Sequence, residues 1–285
     1  MRWKDLRRSD NVRDERGTGG GGGGFPLPIR GVGGGIGAVV LLLVVLVVGG
    51  PDAVLQLLGG GTGGVPGGGQ DAPLTANDDD SQFVSAILGS TEDVWGSLFA
   101  QQGRRYQPPL LTLFDGSVQS ACGYATAAAG PFYCPGDRRV YLDTSFFREL
   151  ARMGGAGDFA NAYVIGHEVG HHVQTLLGTS DEVRAAQARA GDTGANGLQV
   201  AMELQADCFA GVWAYHANQS HHVLEPGDVE EGLAAAQAIG DDTLQRNAGR
   251  RVTPDSFTHG SSAQRKQWLE KGLATGDPAA CNTFR

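Results

Sequence analysis

The chain has 285 residues, a formal net charge of -9 and a sequence pI of about 5.2. It lacks the basic surface that a nucleic-acid partner requires, which excludes nucleic-acid binding as its main role. The length allows one sizeable core plus extensions, and Cys122, Cys134, Cys208 and Cys281 form no C-x-x-C metal knuckle.

Met1 to Arg16 mixes charges of both signs and shows no apolar periodicity. This predicts a disordered N-terminus over residues 1–30. Gly17 to Gly24 reads as a flexible spacer. A phosphate-binding loop is excluded there, because no strand precedes it and no Lys follows in register. Gly31 to Gly50 carries no charge, and Ile36 to Val48 is almost wholly aliphatic. With its flanking glycines the run reaches the roughly 20 residues that a bilayer needs. A buried element and a cleaved signal peptide are the alternatives, but the leader is long for a signal peptide and Pro51 sits badly for cleavage. Residues 31–50 are therefore expected to be a transmembrane signal anchor. Basic residues precede it and Asp52 follows, so the N-terminus is expected in the cytoplasm and the remainder outside. Residues 51–80 read as a Gly-rich linker, and residues 81–285 as the folded domain.

Thr91 is expected to cap a helix over Glu92 to Gln101. From Pro108 to Asp143 the pattern changes to short strands at Leu110 to Phe114, Ser117 to Ala121, Pro131 to Cys134 and Arg139 to Leu142. In an exported domain, Cys122 and Cys134 would form a disulfide. Val140 to Asp143 is expected to be an edge strand that binds an extended peptide by strand addition. Thr144 to Arg152 reads as a helix.

Asn161 to Gln174 reads NAYVIGHEVGHHVQ. His167 and His171 lie four apart, so on a helix both imidazoles share a face and can grip one zinc ion per chain. Glu168 then projects beside the metal, where it can take a proton from the attacking water. The bland alternative is an amphipathic helix with wet histidines. It sits poorly with Val164, Ile165, Gly166, Val169, Gly170 and Val173, which mark a buried helix. Asp158 is expected to cap this helix and Gly178 to close it.

Gly197 to Asn218 is a second helical stretch, and its Glu203 and Asp207 share a face. Glu203 can complete a His2Glu set, leaving a fourth position open. Asp207 can accept the outer N–H of a ligand histidine. The alternative is a solvated face, but both residues sit among Val200, Met202, Leu204, Phe209 and Trp213. Asp228 to Asn247 reads as one alanine-rich helix, and Ala263 to Leu273 as another. His259, in the loop between them, could donate to the oxyanion on the attacked carbonyl or serve as a capping residue. Cys281 could pair with Cys208 and close a long loop.

The chain resembles the family of bacterial membrane-anchored putative neutral zinc metallopeptidases. The resemblance lies in Met1-Arg2-Trp3-Lys4, Ser120-Ala121-Cys122-Gly123, Gly130 to Pro135, Val140 to Asp143, His167 to Gln174, Glu203 to Gly211 and Asp255 to Ser262, with Gly276-Asp277-Pro278 and Cys281 at the end. The spacing of Glu203-x-x-x-Asp207 after the H-E-x-x-H run also resembles the second signature of gluzincin peptidases. By this resemblance His167, His171 and Glu203 would hold zinc, Glu168 would be the catalytic base, and His259, with Arg265 behind it, would stand near the active site. The implied fold is α+β, a mainly helical gluzincin-like core with a small antiparallel sheet. The implied activity is that of a membrane-anchored zinc endopeptidase. A zinc-fold scaffold without activity and an amidase acting on cell-wall peptides are the rival functions.

Overall fold

The computed structural model describes residues 1–17 and 78–284. The expected span at 31–50 lies outside the described residues, as do the glycine tracts at 18–24 and 59–71. Among the described residues no helix is long and apolar enough to cross a membrane.

The described chain is mainly helical with a small sheet. Its elements are β1 (Val12–Asp14), α1 (Asp79–Gln101), β2 (Leu110–Leu113), β3 (Ser117–Ser120), β4 (Gly123–Thr126), β5 (Phe132–Cys134), β6 (Arg139–Leu142), α2 (Ser145–Arg152), α3 (Asp158–Leu177), α4 (Thr179–Gln187), α5 (Asp192–His221), α6 (Asp228–Ala238), α7 (Asp241–Asn247) and α8 (Ser262–Thr275). The tail ends in a 3-10 turn at Pro278–Cys281.

Residues 1–17 are folded onto the domain, which corrects the expectation of disorder there. Leu6 and Val12 are buried, and β1 pairs in parallel with β2. The α-ammonium of Met1 donates to Asp158 at 2.6 Å and lies 3.3 Å from both Asp228 and Glu225. Arg7 bridges Glu92 and Asp93 on α1. The mixed charges that suggested disorder thus find opposite charges on the domain.

The sheet is mixed rather than antiparallel, with order β1-β2-β6-β5. The β1/β2 and β2/β6 pairs are parallel, while β5/β6 is antiparallel. Strand β6 is interior, not the expected edge, because β2 and β5 occupy its two sides. The edges are β1 and β5. Strands β3 and β4 form a separate antiparallel hairpin, which the Cys122–Cys134 disulfide ties to β5.

Helix α1 starts at Asp79 under an Asp78 cap, and Thr91 lies within it with its hydroxyl on the Leu88 carbonyl. The expected helix over 228–247 is broken at Ile239 and Gly240 into α6 and α7. Trp95, Phe159, Phe209 and Trp213 fill the core between α1, α3 and α5. Helices α3 and α5 pass very close. A Cβ on Gly170 would lie 2.9 Å from the Ala206 carbonyl oxygen, and one on Gly166 would lie 2.8 Å from the Trp213 ring.

Candidate functional site

The α3 residues around the motif are almost all buried, and the helix ends in a left-handed Gly178. Gly157, not Asp158, is its N-cap residue; Asp158 lies in the first turn, and its carboxylate accepts from the Met1 ammonium. Because Gly166 and Gly170 let α5 approach, Glu203 reaches across to the imidazoles. Its Oε2 lies 3.1 Å from His167 Nε2 and 3.5 Å from His171 Nε2. His167, His171 and Glu203 form one group whose ligand atoms lie within 4.8 Å of one another. A tetrahedral zinc with ligands at the usual ~2.0–2.1 Å sets those ligands about 3.3 Å apart, so the donor set fits the ion in type and spacing.

The outer nitrogens of both histidines are occupied. His167 Nδ1 donates to Asp207 Oδ1 at 2.7 Å, and His171 Nδ1 donates to Gln174 Oε1 at 2.8 Å. In the neutral rings, the form a metal takes, the lone pair is then at Nε2, on the Glu203 side. Asp207 is fully buried and also accepts from Tyr163 at 2.6 Å and from Arg265 at 2.9 Å through each carboxylate oxygen. Glu203 Oε1 accepts from Gln199 at 2.9 Å.

The site is electrostatically starved of positive charge. Burial works against charging His167, but Asp207 and Glu203 outweigh it and push its pKa up to about 10. Burial would raise Glu203, yet His171 and His167 hold its carboxyl well below the usual range. A divalent cation placed among these groups would supply the charge that protons carry otherwise. Glu168 is buried and raised, chiefly by desolvation. Among the described residues its carboxylate makes no hydrogen bond, so it is available to exchange a proton.

His172, the third histidine of the motif, does not join the group. It bonds the Gln107 carbonyl at 2.6 Å and Tyr133 at 3.1 Å, and burial pushes its pKa down to about 4. His259 is half-exposed at 46% and is held by Asp241. Asp241 Oδ2 accepts from the backbone N–H of Thr258, His259 and Gly260, and Oδ1 lies 3.3 Å from His259 Nδ1. Partial burial opposes charge on His259, but Asp241 and then Glu203 raise its pKa.

Sequence reasoning missed Gln174, Gln199, Gln205, Tyr163 and Asp241. Gln174 had a signal, lying one helical turn after His171. Asp241 had none, since its partners lie about twenty residues away in a loop. A second acidic group, Asp158, Asp228 and Glu231, also has cation-site spacing, but Asp158 and Asp228 hold the Met1 ammonium and Glu231 accepts from the Phe159 N–H. His216 bonds the Gly276 carbonyl at 2.8 Å and does not join the cluster.

Fold and site together define a mainly helical α+β protein with a His2Glu cluster on two crossing helices, the donor set of hydrolytic zinc proteins. The particular family follows from comparison. The chain belongs to the family described as "putative neutral zinc metallopeptidase", whose model matches residues 1–284. The uncharacterized protein YpfJ of Escherichia coli K12 is 49% identical over 292 residues, covering 100% of this chain and 99% of that protein. The uncharacterized protein Rv2575 of Mycobacterium tuberculosis H37Rv is 45% identical over 212 residues, covering 70% of this chain and 69% of its own. No solved structure matches the chain.

Proposed function

We propose that the protein is a gluzincin-type zinc endopeptidase, with His167, His171 and Glu203 as metal ligands and Glu168 as general base. The observation that carries this reading is the convergence of two imidazole Nε2 atoms on one carboxylate oxygen, with both Nδ1 atoms already engaged. Zinc held there would polarise a peptide carbonyl and acidify the attacking water. Glu168, raised by desolvation, accepts the proton of that water and delivers it to the departing amine. His259, oriented by Asp241, donates a hydrogen bond to the oxygen where negative charge develops.

The substrate is a peptide bound in extended form. With β6 enclosed, the available edge is β5, which packs against α3. The two disulfides support an oxidising compartment, and the uncharged run at 31–50 supports attachment to a bacterial membrane. The packing of residues 1–17 adds a condition. Segment and domain must share one face of that membrane, so an N-terminus left in the cytoplasm is compatible with an exported domain only without this docking.

The test is Glu168→Gln against a peptide library. The variant is expected to retain zinc and to lose turnover by roughly 10²–10⁴-fold, the usual worth of general acid–base catalysis. Unchanged turnover removes Glu168 from the mechanism.

A further inference from the structure

His167 is oriented by a carboxylate, but His171 is oriented by an amide, and that amide is only the first member of a chain. His171 Nδ1 donates to Gln174 Oε1 at 2.8 Å. Gln174 Nε2 donates to the Met202 carbonyl at 2.7 Å and to Gln205 Oε1 at 3.1 Å. Gln205 Nε2 donates to the Cys281 carbonyl at 3.0 Å. Cys281 is bonded through sulfur to Cys208, one turn beyond Gln205 on α5. Gln174 and both cysteines are fully buried, and Gln205 is 8% exposed.

The direction of this chain is fixed by its ends. A backbone carbonyl can only accept, so Met202 and Cys281 each demand an N–H. Gln205 must turn its nitrogen to Cys281, which leaves its oxygen for Gln174. Gln174 must turn its nitrogen to Met202 and Gln205, which leaves its oxygen for His171. An oxygen facing His171 Nδ1 requires a proton on that nitrogen, so in the neutral ring that a metal binds the lone pair is at Nε2, on the side of Glu203. Were either amide reversed, two acceptors or two donors would face each other in a buried place, at a cost of about 1–3 kcal/mol for each unsatisfied group.

We propose that Gln174 and Gln205 are positioning residues for His171, and that the Cys208–Cys281 disulfide is a working part of the metal site because it holds the carbonyl on which their order depends. This inference rests on the metal-site reading above. The disulfide joins the C-terminal turn to the helix that carries Glu203, so one covalent link serves two ligands. Glu203 lies on the linked helix itself, and His171 is reached through the two amides. The other disulfide, Cys122–Cys134, lies on the hairpin side and touches none of these groups. It is the natural control.

The experiment measures zinc affinity of the full chain by competition with a chromogenic chelator. The proteins are wild type, Gln205→Met, the pair Cys208→Ala/Cys281→Ala, these three changes together, and the control pair Cys122→Ala/Cys134→Ala. Loss of outer-shell partners commonly weakens a metal site by about 10–100-fold. Gln205→Met and the Cys208/Cys281 pair should each weaken zinc binding by about tenfold or more. The triple variant should be no weaker than the worse of the two, because both act on one chain of contacts. The control pair should bind as wild type does. A second readout is exchange of the His171 Nδ1 proton in the zinc-loaded protein, seen by NMR. It should be slow in wild type and faster in Gln205→Met, a change that mere loss of stability elsewhere would not produce. Wild-type zinc affinity in the Cys208/Cys281 variant, or a proton on His171 Nε2 rather than Nδ1 in the zinc-loaded wild type, overturns the proposal while leaving the metal site standing. A wild-type protein that binds no zinc overturns both.

Discussion

Asp207 accepts four hydrogen bonds from His167, Tyr163 and Arg265 and is shut off from solvent. Burial alone would raise its pKa, but Arg265 and then His167 hold it down at about 2, against an ordinary 3.8. A carboxyl whose folded pKa is depressed contributes stability that is complete above its unfolded value and is lost as pH falls through the folded one. That share should therefore be intact above about pH 4 and vanish toward pH 2. Arg265→Met leaves the buried carboxylate without its cation. It should cost roughly 3–5 kcal/mol at neutral pH and move the acid loss of stability to higher pH, as read by urea unfolding across a pH series. An unchanged pH profile would mean that Arg265 is not what keeps Asp207 ionised. At this scale the sequence was most informative where the chemistry is local. His167, Glu168 and His171 share one helical turn, and the geometry of a turn is known in advance. Glu203 and Asp207 were legible through the same spacing. Of the partners that orient these groups, Tyr163, Gln205 and Asp241 were not, because they reach the site only when separate elements pack, and Arg265 entered only through the family resemblance.

Helix α3 carries His167 and His171 while α5 carries Glu203, so the distance between two helices sets the geometry of the cluster. Gly170 is what allows it. A methyl there would stand 2.9 Å from the Ala206 carbonyl oxygen and 3.0 Å from its Cα, backbone atoms that cannot rotate away. Gly170→Ala should push the helices apart by a few tenths of an ångström, cost about 1–3 kcal/mol of stability and weaken zinc binding, read by thermal unfolding and chelator competition. A variant that is destabilised yet binds zinc as wild type does would show that the spacing has slack. Helix α8 depends on a similar approach to α5, since a Cβ on Gly272 would lie 2.0 Å from the Cys208 carbonyl oxygen. The strands near β5 and β6 were legible from turn residues and alternation, but their order was not. β6 became interior because β2 took its outer side and in turn accepted a strand from the far N-terminus, a pairing that no local pattern announces.

Over the whole molecule, residues 1–17 lace the parts together: Met1 at the starts of α3 and α6, Arg7 along α1, and β1 on the sheet. Their charge pattern looked like that of a solvated tail because opposite charges on the domain are invisible in a linear reading. Docking of this kind sets the condition on membrane topology stated above. Lys4 lies on the segment, and Lys271 is exposed on α8. A membrane-impermeant amine reagent applied to intact cells with a permeable outer envelope should label both together. Labelling of Lys4 only after lysis would place the segment and the domain in different compartments and contradict the docking. The most direct test of the central claim is anomalous diffraction from crystals of the full chain loaded with one equivalent of zinc. A single peak is expected about 2.0–2.2 Å from His167 Nε2, His171 Nε2 and a Glu203 oxygen. A peak at Asp158, Asp228 and Glu231 instead, or no peak between α3 and α5, would contradict it.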